Sequence, residues 1–192
     1  MTPVPPAAEQ PTAAPFAEPL EQARRHGGLR SYLNAIDLGV YRWFRNVAPT
    51  GQAMDRVKTF SKAGEHGACW FVLGLGGAAL DPDRRGHWLE ATATVGIAYG
   101  TSTAIKNAIG RKRPAVEDLP AIMRTPTGLS FPSSHSTSSF AAARAFSSLL
   151  PGPPLYVLAA AMATSRLLVG VHYPSDIVAG TALGMAMGEC GR

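Results

Sequence analysis

Residues 165–176 read SRLLVGVHYPSD and join two apolar stretches of the chain. Pro174 disfavours helix at the residue before it, and it suits the first turn of the helix that follows. His172 is therefore expected in a turn, with Asp176 about one turn away. A carboxylate at that position can accept the proton on one imidazole nitrogen and leave the other nitrogen to attack.

Two readings of this segment are open from the residues alone. His172 and Asp176 could be an ordinary polar pair at a helix start, without a chemical role. Arg166, six residues before His172, argues against that reading. An arginine next to an apolar helix needs an anionic partner or a polar cavity.

The apolar stretches predict the fold class. Each is near the lower length limit for a spanning helix and is rich in Gly, Ala, Ser and Thr, which let helices approach closely in lipid. We predict an all-α, membrane-embedded bundle of about five short spans; a soluble all-helical domain is the alternative. The predicted spans cover residues 67–80, 88–109, 135–150, 154–171 and 174–190.

The first part of the chain differs from this bundle. Residues 1–28 are rich in Pro, Ala, Glu and Gln, so we expect a disordered tail and no cleaved signal peptide. Residues 29–56 should form an interfacial amphipathic helix and linker, because apolar residues at helical spacing alternate there with charges. The membrane domain is then expected over residues 57–192.

The net charge of +5 does not predict nucleic-acid binding, because Lys and Arg fall between apolar segments. With a cytoplasmic tail, the loops at 106–134 and 172–174 would return to the cytoplasm, as the positive-inside rule favours. That side would hold Arg24, Arg25, Arg30, Arg42, Arg45, Arg56, Lys58, Lys62, Arg111, Lys112 and Arg124. The opposite side would hold Arg84, Arg85 and Arg192.

A second polar cluster is Lys106, followed after six residues by Arg113-Pro114. If the helix continues to the proline, the two cations lie about 10 Å apart on one face and could grip one anion. A juxtamembrane basic run that serves only topology or lipid headgroups is the alternative.

A third cluster, FPSSH at residues 131–135, precedes an apolar helix. Ser133 or Ser134 could simply cap that helix. The backbone N–H groups of a helix start can also bind an anion, with His135 beside them as a proton donor. Under the topology above, all three clusters open on one face of the membrane.

Together the three clusters resemble the three-part signature of the type 2 phosphatidic acid phosphatase superfamily. The resemblance extends over roughly residues 57–190, and Ser134 stands where the commonest motif has Gly. It implies that His172 is the nucleophile, that Asp176 orients it, and that His135 protonates the leaving alkoxide and later activates water. It also implies a phosphate site without metal or other cofactor, formed by Lys106, Arg113, Ser133, Ser134 and Arg166.

The resemblance implies a lipid phosphate as substrate. The segments FSKAGEHGACW, RRGHWLEA and SFPSSHSTSS are similar to short actinobacterial members that dephosphorylate decaprenylphosphoryl-5-phosphoribose in arabinan precursor synthesis. A general phospholipid or undecaprenyl diphosphate phosphatase is the alternative. A haloperoxidase would share the anion pocket, but such enzymes are larger and soluble. An inactive membrane scaffold would also share the fold, and the intact His135, His172 and Asp176 speak against it.

Other residues carry structural expectations only. Cys69 and Cys190 are expected to be buried, inert thiols. Trp70 and Trp88 are expected to anchor spans at the membrane surface. Glu90 and Arg144 are expected either to pair within the bundle or to lie near an interface. The sequence predicts contacts with membrane lipids and gives no oligomeric state.

Overall fold

A computed structural model of the chain describes residues 15–190, and helices dominate this part. Two short 3₁₀ turns lie at Glu65–Gly67 and Pro82–Arg84, and one isolated β-bridge joins Lys112 and Leu129. The helices are α1 (Ala17–His26), α2 (Leu29–Asn46), α3 (Gly51–Ala63), α4 (Ala68–Leu80), α5 (Arg85–Ile109), α6 (Ser134–Phe146), α7 (Gly152–Leu168) and α8 (Pro174–Cys190).

The all-helical prediction is confirmed, and each of the five predicted apolar stretches corresponds to one helix, from α4 to α8. Within residues 15–190, no helix is both long enough and apolar enough to qualify as a membrane span. The membrane-embedded bundle therefore stays a prediction.

Helices α6 and α8 pack closely because α8 carries glycine at every fourth position on the face toward α6. A Cβ atom at Gly180 would lie 2.6 Å from the Ser133 carbonyl oxygen, and one at Gly184 would lie 2.4 Å from the Thr137 carbonyl oxygen. Gly188 continues the row. Residues four apart share a helix face, so the row lets the two backbones touch along their length.

The same face brings the two helix starts together. The Ser133 backbone N–H donates to the Asp176 carbonyl oxygen at 3.0 Å, and the Ser133 side chain accepts from the Ser136 N–H as the cap of α6. Asp176 lies in the first turn of α8, on the same face as Gly180 and Gly184. The polar residues at both helix starts are thereby held at one end of the bundle.

The structure places helices in two N-terminal segments where the sequence predicts a tail and a linker. The expected tail to residue 28 contains helix α1, which packs on α2 through Pro19 and Ala23, both buried; residues 1–14 of that tail lie outside the described residues. The expected linker up to residue 56 is the first part of α3. Short polar helices of this kind depend on tertiary packing, which local composition does not report.

The second predicted span ends earlier than expected. Helix α5 stops at Ile109, and Gly110 adopts the left-handed conformation with φ 67° that commonly terminates a helix. Arg113 therefore lies in the following loop, four residues beyond the helix, instead of on the Lys106 face of a continuous helix.

Several side chains depart from their expected surroundings. Trp70 and Trp88 are buried in the helix bundle and donate to Ser139 Oγ and Asp81 Oδ2, so they do not anchor a surface. Arg144 forms an ion pair with Glu189, whereas Glu90 is exposed. Cys190 is exposed and Cys69 is half-buried, so the expectation of two buried thiols is wrong for Cys190.

Candidate active site

His172 lies in the turn between α7 and α8, as the position of Pro174 predicts. Its ring is buried, with 1% exposed. Nδ1 donates to Asp176 Oδ2 at 3.3 Å, and Nε2 accepts from Arg113 Nη1 at 3.2 Å. Because Nδ1 faces a carboxylate, the lone pair lies on Nε2, the nitrogen on the side of the cations.

Asp176 is itself fully buried, with 0% exposed. Its Oδ2 atom also accepts from the Tyr173 backbone N–H at 2.8 Å, which fixes the carboxylate against the turn. Its Oδ1 atom accepts from Arg111 Nη1 at 2.8 Å. Both oxygens are held, so the carboxylate can orient His172 without moving.

Three cations from separate segments surround the open side of His172: Lys106 from α5, Arg113 from the following loop and Arg166 from α7. Within residues 15–190 none of the three has a carboxylate oxygen within ion-pair distance. Lys106 is 6% exposed and Arg166 is 2% exposed. Buried cations are costly without a counter-ion, so the arrangement is one that an anion would stabilise.

Arg166 shows this most clearly. Its Nη1 donates to Ser61 Oγ at 2.6 Å, whereas its buried Nε has no hydrogen-bond partner in the structure. Guanidinium groups bind phosphate oxygens through two parallel N–H donors. Arg166 therefore lines the cavity with one buried N–H donor that no described residue satisfies.

The start of α6 contributes His135 and Ser134. His135 Nε2 donates to the Ser61 carbonyl oxygen at 3.2 Å, and Ser134 Oγ lies 3.0 Å from Ser102 Oγ. Ser133, expected in the phosphate site, is fully buried beneath the helix start and serves as its cap. The capping alternative thus describes the Ser133 side chain, while Ser134 and His135 face the cavity.

These residues line one cavity of about 120 Å³. It is large enough for a phosphoryl group with water, because a single water needs only about 10–15 Å³ by a comparable measure. The lining includes the phosphate-site residues Lys106, Arg113, Ser134, His135, Arg166 and His172. The remaining lining residues, which we call the polar wall because most of them carry a polar group, are Glu65, His66, Tyr99, Thr103, Asn107, Pro126 and Thr127.

Burial and neighbouring charges set the protonation state of His172. Burial lowers the pKa of His172 well below its ordinary value, and the neighbouring cations Arg113, Arg166 and Lys106 lower it further. Burial also lowers the pKa of Arg113 to about 10, which leaves its guanidinium charged at neutral pH. His172 is therefore neutral, and the groups around it are positive, before any anion binds.

Sequence reasoning did not identify three residues that hold the site. Ser61, on α3, contacts both Arg166 and His135. Arg111 was assigned only to a basic run, and Asp37 only to an interfacial helix, yet the two pair at 2.7 Å beside Asp176. Asp37 and Arg111 are 74 positions apart, and no local pattern signals such a contact.

Within residues 15–190, no three His, Cys, Asp or Glu side chains lie together in an arrangement that could hold a metal ion. The site is instead built from nitrogen cations and one buried carboxylate. It can bind a phosphoryl group, present a neutral imidazole nitrogen to the phosphorus, and hold a second imidazole nearby for proton transfer.

Several known proteins are similar to this chain in sequence or in fold. Decaprenylphosphoryl-5-phosphoribose phosphatase of Mycobacterium tuberculosis is 45% identical over 131 residues, which are 67% of this chain and 72% of that protein. The Mycolicibacterium smegmatis protein of the same name is 40% identical over 123 residues, 64% of this chain and 68% of that one.

A solved structure, the transmembrane PAP2-type phosphatidylglycerolphosphate phosphatase from Bacillus subtilis, superposes with a TM-score of 0.69 at 18% identity and covers 92% of both chains. That similarity shows the shared fold. The PAP2 superfamily model matches residues 87–189, the segment that contains all three polar clusters. With this match and the identity to the mycobacterial phosphatases, the chain belongs to the PAP2 superfamily.

Proposed function

We propose that this protein is a membrane lipid phosphatase that hydrolyses a phosphate monoester through a phosphohistidine at His172 Nε2. The observation that carries the proposal is the set of three cations, Lys106, Arg113 and Arg166, around that nitrogen without a carboxylate partner among the described residues. Such a site offers charge to a phosphate and a neutral nucleophile to its phosphorus.

In the first step, the Nε2 lone pair forms a bond to phosphorus while the ester P–O bond breaks. His135, which is protonated once the phosphate dianion is bound, donates its second ring proton to the departing oxygen, which leaves as the lipid alcohol. His135 then takes a proton from water, whose oxygen attacks phosphorus and breaks the P–N bond, releasing inorganic phosphate and restoring His172. Asp176 stabilises the positive charge that His172 carries in the intermediate.

The reaction is proposed to need no metal. A phosphate monoester carries a charge of about −2 at neutral pH, and three fixed cations can offset it together with the charge that spreads over its oxygens in the transition state. Arg113 also contacts Nε2 directly at 3.2 Å, so its donor is already beside the point where the phosphorus arrives.

The proposed substrate is decaprenylphosphoryl-5-phosphoribose, the compound in the name of the mycobacterial relatives. The polar wall supports a sugar in this position. His66 Nδ1 lies 2.7 Å from the Tyr99 hydroxyl, and Glu65, Thr103 and Asn107 add further donors and acceptors. Sugar hydroxyls can pair with such groups, whereas the glycerol ester of a phospholipid would leave most of them unpaired.

His66 adds a second sign of a ligand contact on this wall. It has a positive φ of 55°, the only non-glycine residue of the described chain with that feature. Backbone strain in a non-glycine residue persists where the surroundings impose it, and it concentrates at ligand-binding positions. The strain presents the His66 ring to Tyr99 at the cavity wall.

The membrane location is proposed from the outward faces of the helices. Large apolar side chains on them are exposed where a water-soluble bundle would carry polar ones, and such an extended surface fits acyl chains. They include Val72, Leu75 and Leu80 on α4, Ile97 on α5, Val157 on α7 and Val178 on α8. We further propose a multi-pass arrangement in the bacterial cell membrane with the site on the cytoplasmic side, as the distribution of Lys and Arg favours.

The test is phosphate release by the purified protein in detergent, with EDTA present. The panel holds decaprenylphosphoryl-5-phosphoribose, undecaprenyl diphosphate, phosphatidic acid and phosphatidylglycerophosphate. The expected result is release that survives EDTA, is fastest on the phosphoribose lipid, and falls by about a thousandfold or more in His172→Ala. Release from no substrate would support an inactive scaffold, and release lost with EDTA would overturn the metal-free mechanism.

The Asn107→Leu variant tests whether the polar wall binds the sugar of a phosphoribose lipid, as opposed to a site that serves phospholipids in general. Asn107 is exposed at the polar wall and makes no side-chain hydrogen bond within the described residues. Loss of one substrate hydrogen bond should lower kcat/KM on the phosphoribose lipid by about threefold to tenfold and leave phosphatidic acid within about twofold. Equal losses on both substrates would contradict the sugar assignment.

A further inference from the structure

Asp37 lies on α2, outside residues 87–189 that the family model matches. Asp37 is 8% exposed, and within residues 15–190 its carboxylate hydrogen-bonds only to Ser175 at the start of α8 and to Arg111. Oδ1 accepts from the Ser175 backbone N–H at 2.8 Å, and Oδ2 accepts from the Ser175 hydroxyl at 2.6 Å. A side chain from another helix thus satisfies a free N–H group in the first turn of α8.

Arg111 connects this carboxylate to the buried one. Nη2 donates to Asp37 Oδ2 at 2.7 Å, and Nη1 donates to Asp176 Oδ1 at 2.8 Å and to Ser175 Oγ at 2.6 Å. The guanidinium also lies over the Tyr173 ring, 4.2 Å from its centroid. Its planar fork is therefore held on three sides, which leaves it little freedom to leave Asp176.

The net charge of Asp37, Arg111 and Asp176 also affects His172. With Asp37 present, one arginine is shared between two carboxylates, so the group keeps one net negative charge next to His172. Without Asp37, Arg111 and Asp176 would neutralise each other, and less negative charge would remain to stabilise the phosphorylated, positive imidazole.

We propose that Asp37 and Arg111 are positioning residues of the reaction, which hold Asp176 against His172 and leave its negative charge available to the imidazole. The inference rests on the proposed function, because it assigns them a role through the nucleophile. Neither residue lines the cavity, so each acts on the chemical step and not on substrate binding.

The test compares kcat and KM for Asp37→Asn and Arg111→Gln with the wild type and with Asp118→Asn. Asp118 is a matched control because it, too, forms an ion pair between a loop and α2, the helix of Asp37. Its partner is Arg42, its side chain is 59% exposed, and the pair does not involve the His172 turn. The expected result is a loss in kcat of about tenfold to a hundredfold for both positioning variants, with KM within about twofold. Asp118→Asn should stay within about twofold of wild type in both constants.

The pH dependence of kcat/KM provides a second readout. A purely structural role of Asp37 and Arg111 would not shift its acid limb in opposite directions in the two variants. The charged and titratable groups facing His172 are Lys106, Arg113, His135, Arg166 and Asp176. Asp37→Asn removes negative charge behind them, which disfavours the imidazolium and should move the acid limb to lower pH. Arg111→Gln removes positive charge and should move it to higher pH.

Opposite shifts in the two variants, with thermal midpoints in detergent near wild type, would support the inference. Shifts of the same sign, or a raised KM with unchanged kcat, would overturn it. Should Asp37→Asn fail to fold, Asp37→Glu and Arg111→Lys carry the kcat and KM comparison, because each keeps its charge while altering the geometry. Both should lower kcat with KM near wild type and leave the acid limb in place, and an unchanged kcat in both would overturn the inference. Inactivity of the wild type on every phosphate ester would instead refute the proposed function, independently of Asp37.

Discussion

At the scale of single residues, the site separates the two nitrogens of one imidazole. Asp176 holds Nδ1 of His172, and Arg113 donates to Nε2 from the cavity side. In the free protein, Arg113 therefore covers the lone pair that attacks phosphorus in the proposed mechanism. In that mechanism an incoming phosphate offers this guanidinium stronger acceptors, and transfer of the hydrogen bond to a phosphate oxygen would uncover Nε2 as the substrate arrives.

The position of His172 among cations predicts an unusual pH dependence. Burial and the cations lower the pKa of His172, so the neutral nucleophile persists as the pH falls through the ordinary histidine range near about 6.5. With His172 as the proposed nucleophile, the acid limb of kcat/KM should lie below that range, because this limb reports the pKa of the nucleophile in the free enzyme. A limb at or above it, measured with a soluble phosphate ester, would contradict this assignment.

The site residues were predictable where a role needs only local spacing. The turn before Pro174 places His172, and Asp176 follows one turn later, as both structure and motif show. Asp37, Arg111 and Ser61 were not predictable, because each reaches the site through a contact between distant segments. The role of Ser133 was half predicted, since a helix cap and an anion ligand have the same sequence signature.

At the scale of elements, α6 and α8 act as one unit. The glycine row on α8 lets the α6 backbone approach, and the Ser133 N–H to Asp176 carbonyl hydrogen bond joins their starts. His135 and Asp176 belong to different helices, so their separation depends on this packing. Any change that moves the helices apart should affect the site and the stability together.

Gly184→Ala tests this dependence. The added Cβ would meet the Thr137 carbonyl oxygen at 2.4 Å and the Ala141 nitrogen at 3.0 Å, both of which are backbone atoms. We expect unfolding in detergent to become easier by about 1–3 kcal/mol, with loss of phosphatase activity.

Gly100→Ala, on α5, is the matched control. A Cβ there meets nothing within 4 Å, so only helix propensity changes. That variant should be stabilised by up to about 1 kcal/mol and keep its activity. Equal behaviour of the two variants would show that α6 and α8 do not need their close approach.

The elements themselves were mostly predictable, because proline and glycine punctuate the apolar stretches. Asp81-Pro82 and Pro151-Gly152 separate helices where expected. The end of α5 was not, since Gly110 stops the helix before the proline that seemed to mark its end. Helix α1 was missed because its polar composition resembles a disordered segment, and only its packing on α2 distinguishes the two.

At the scale of the whole molecule, α8 runs from the site to the opposite end of the bundle. It begins at Pro174 beside the active-site turn and ends at Cys190, roughly 24 Å away along a helix axis. Cys190 is exposed and Cys69 is only half-buried, so the two thiols differ in access. Labelling of Cys190, at the end of α8 far from the site, can therefore show on which side of the membrane the site lies.

With the site on the cytoplasmic side, Cys190 should react with a membrane-impermeant maleimide in right-side-out vesicles of a Cys69→Ser variant. The matched control places the thiol at exposed Asp118 in a Cys69→Ser, Cys190→Ser background, where reaction should require inverted or permeabilised vesicles. Mass spectrometry of the labelled protein measures both. The reverse pattern would place the active site on the outer side.

Helix α2 has a consequence for how the boundary of such a protein is drawn. Its Asp37 side chain hydrogen-bonds to the start of α8, next to the turn that holds His172, while Leu29, Leu33, Ile36, Trp43 and Val47 of the same helix are exposed. The match to the superfamily model begins only at residue 87. With the proposed role of Asp37, a protein shortened to that boundary would keep every signature residue yet lose the carboxylate that holds Arg111 beside Asp176.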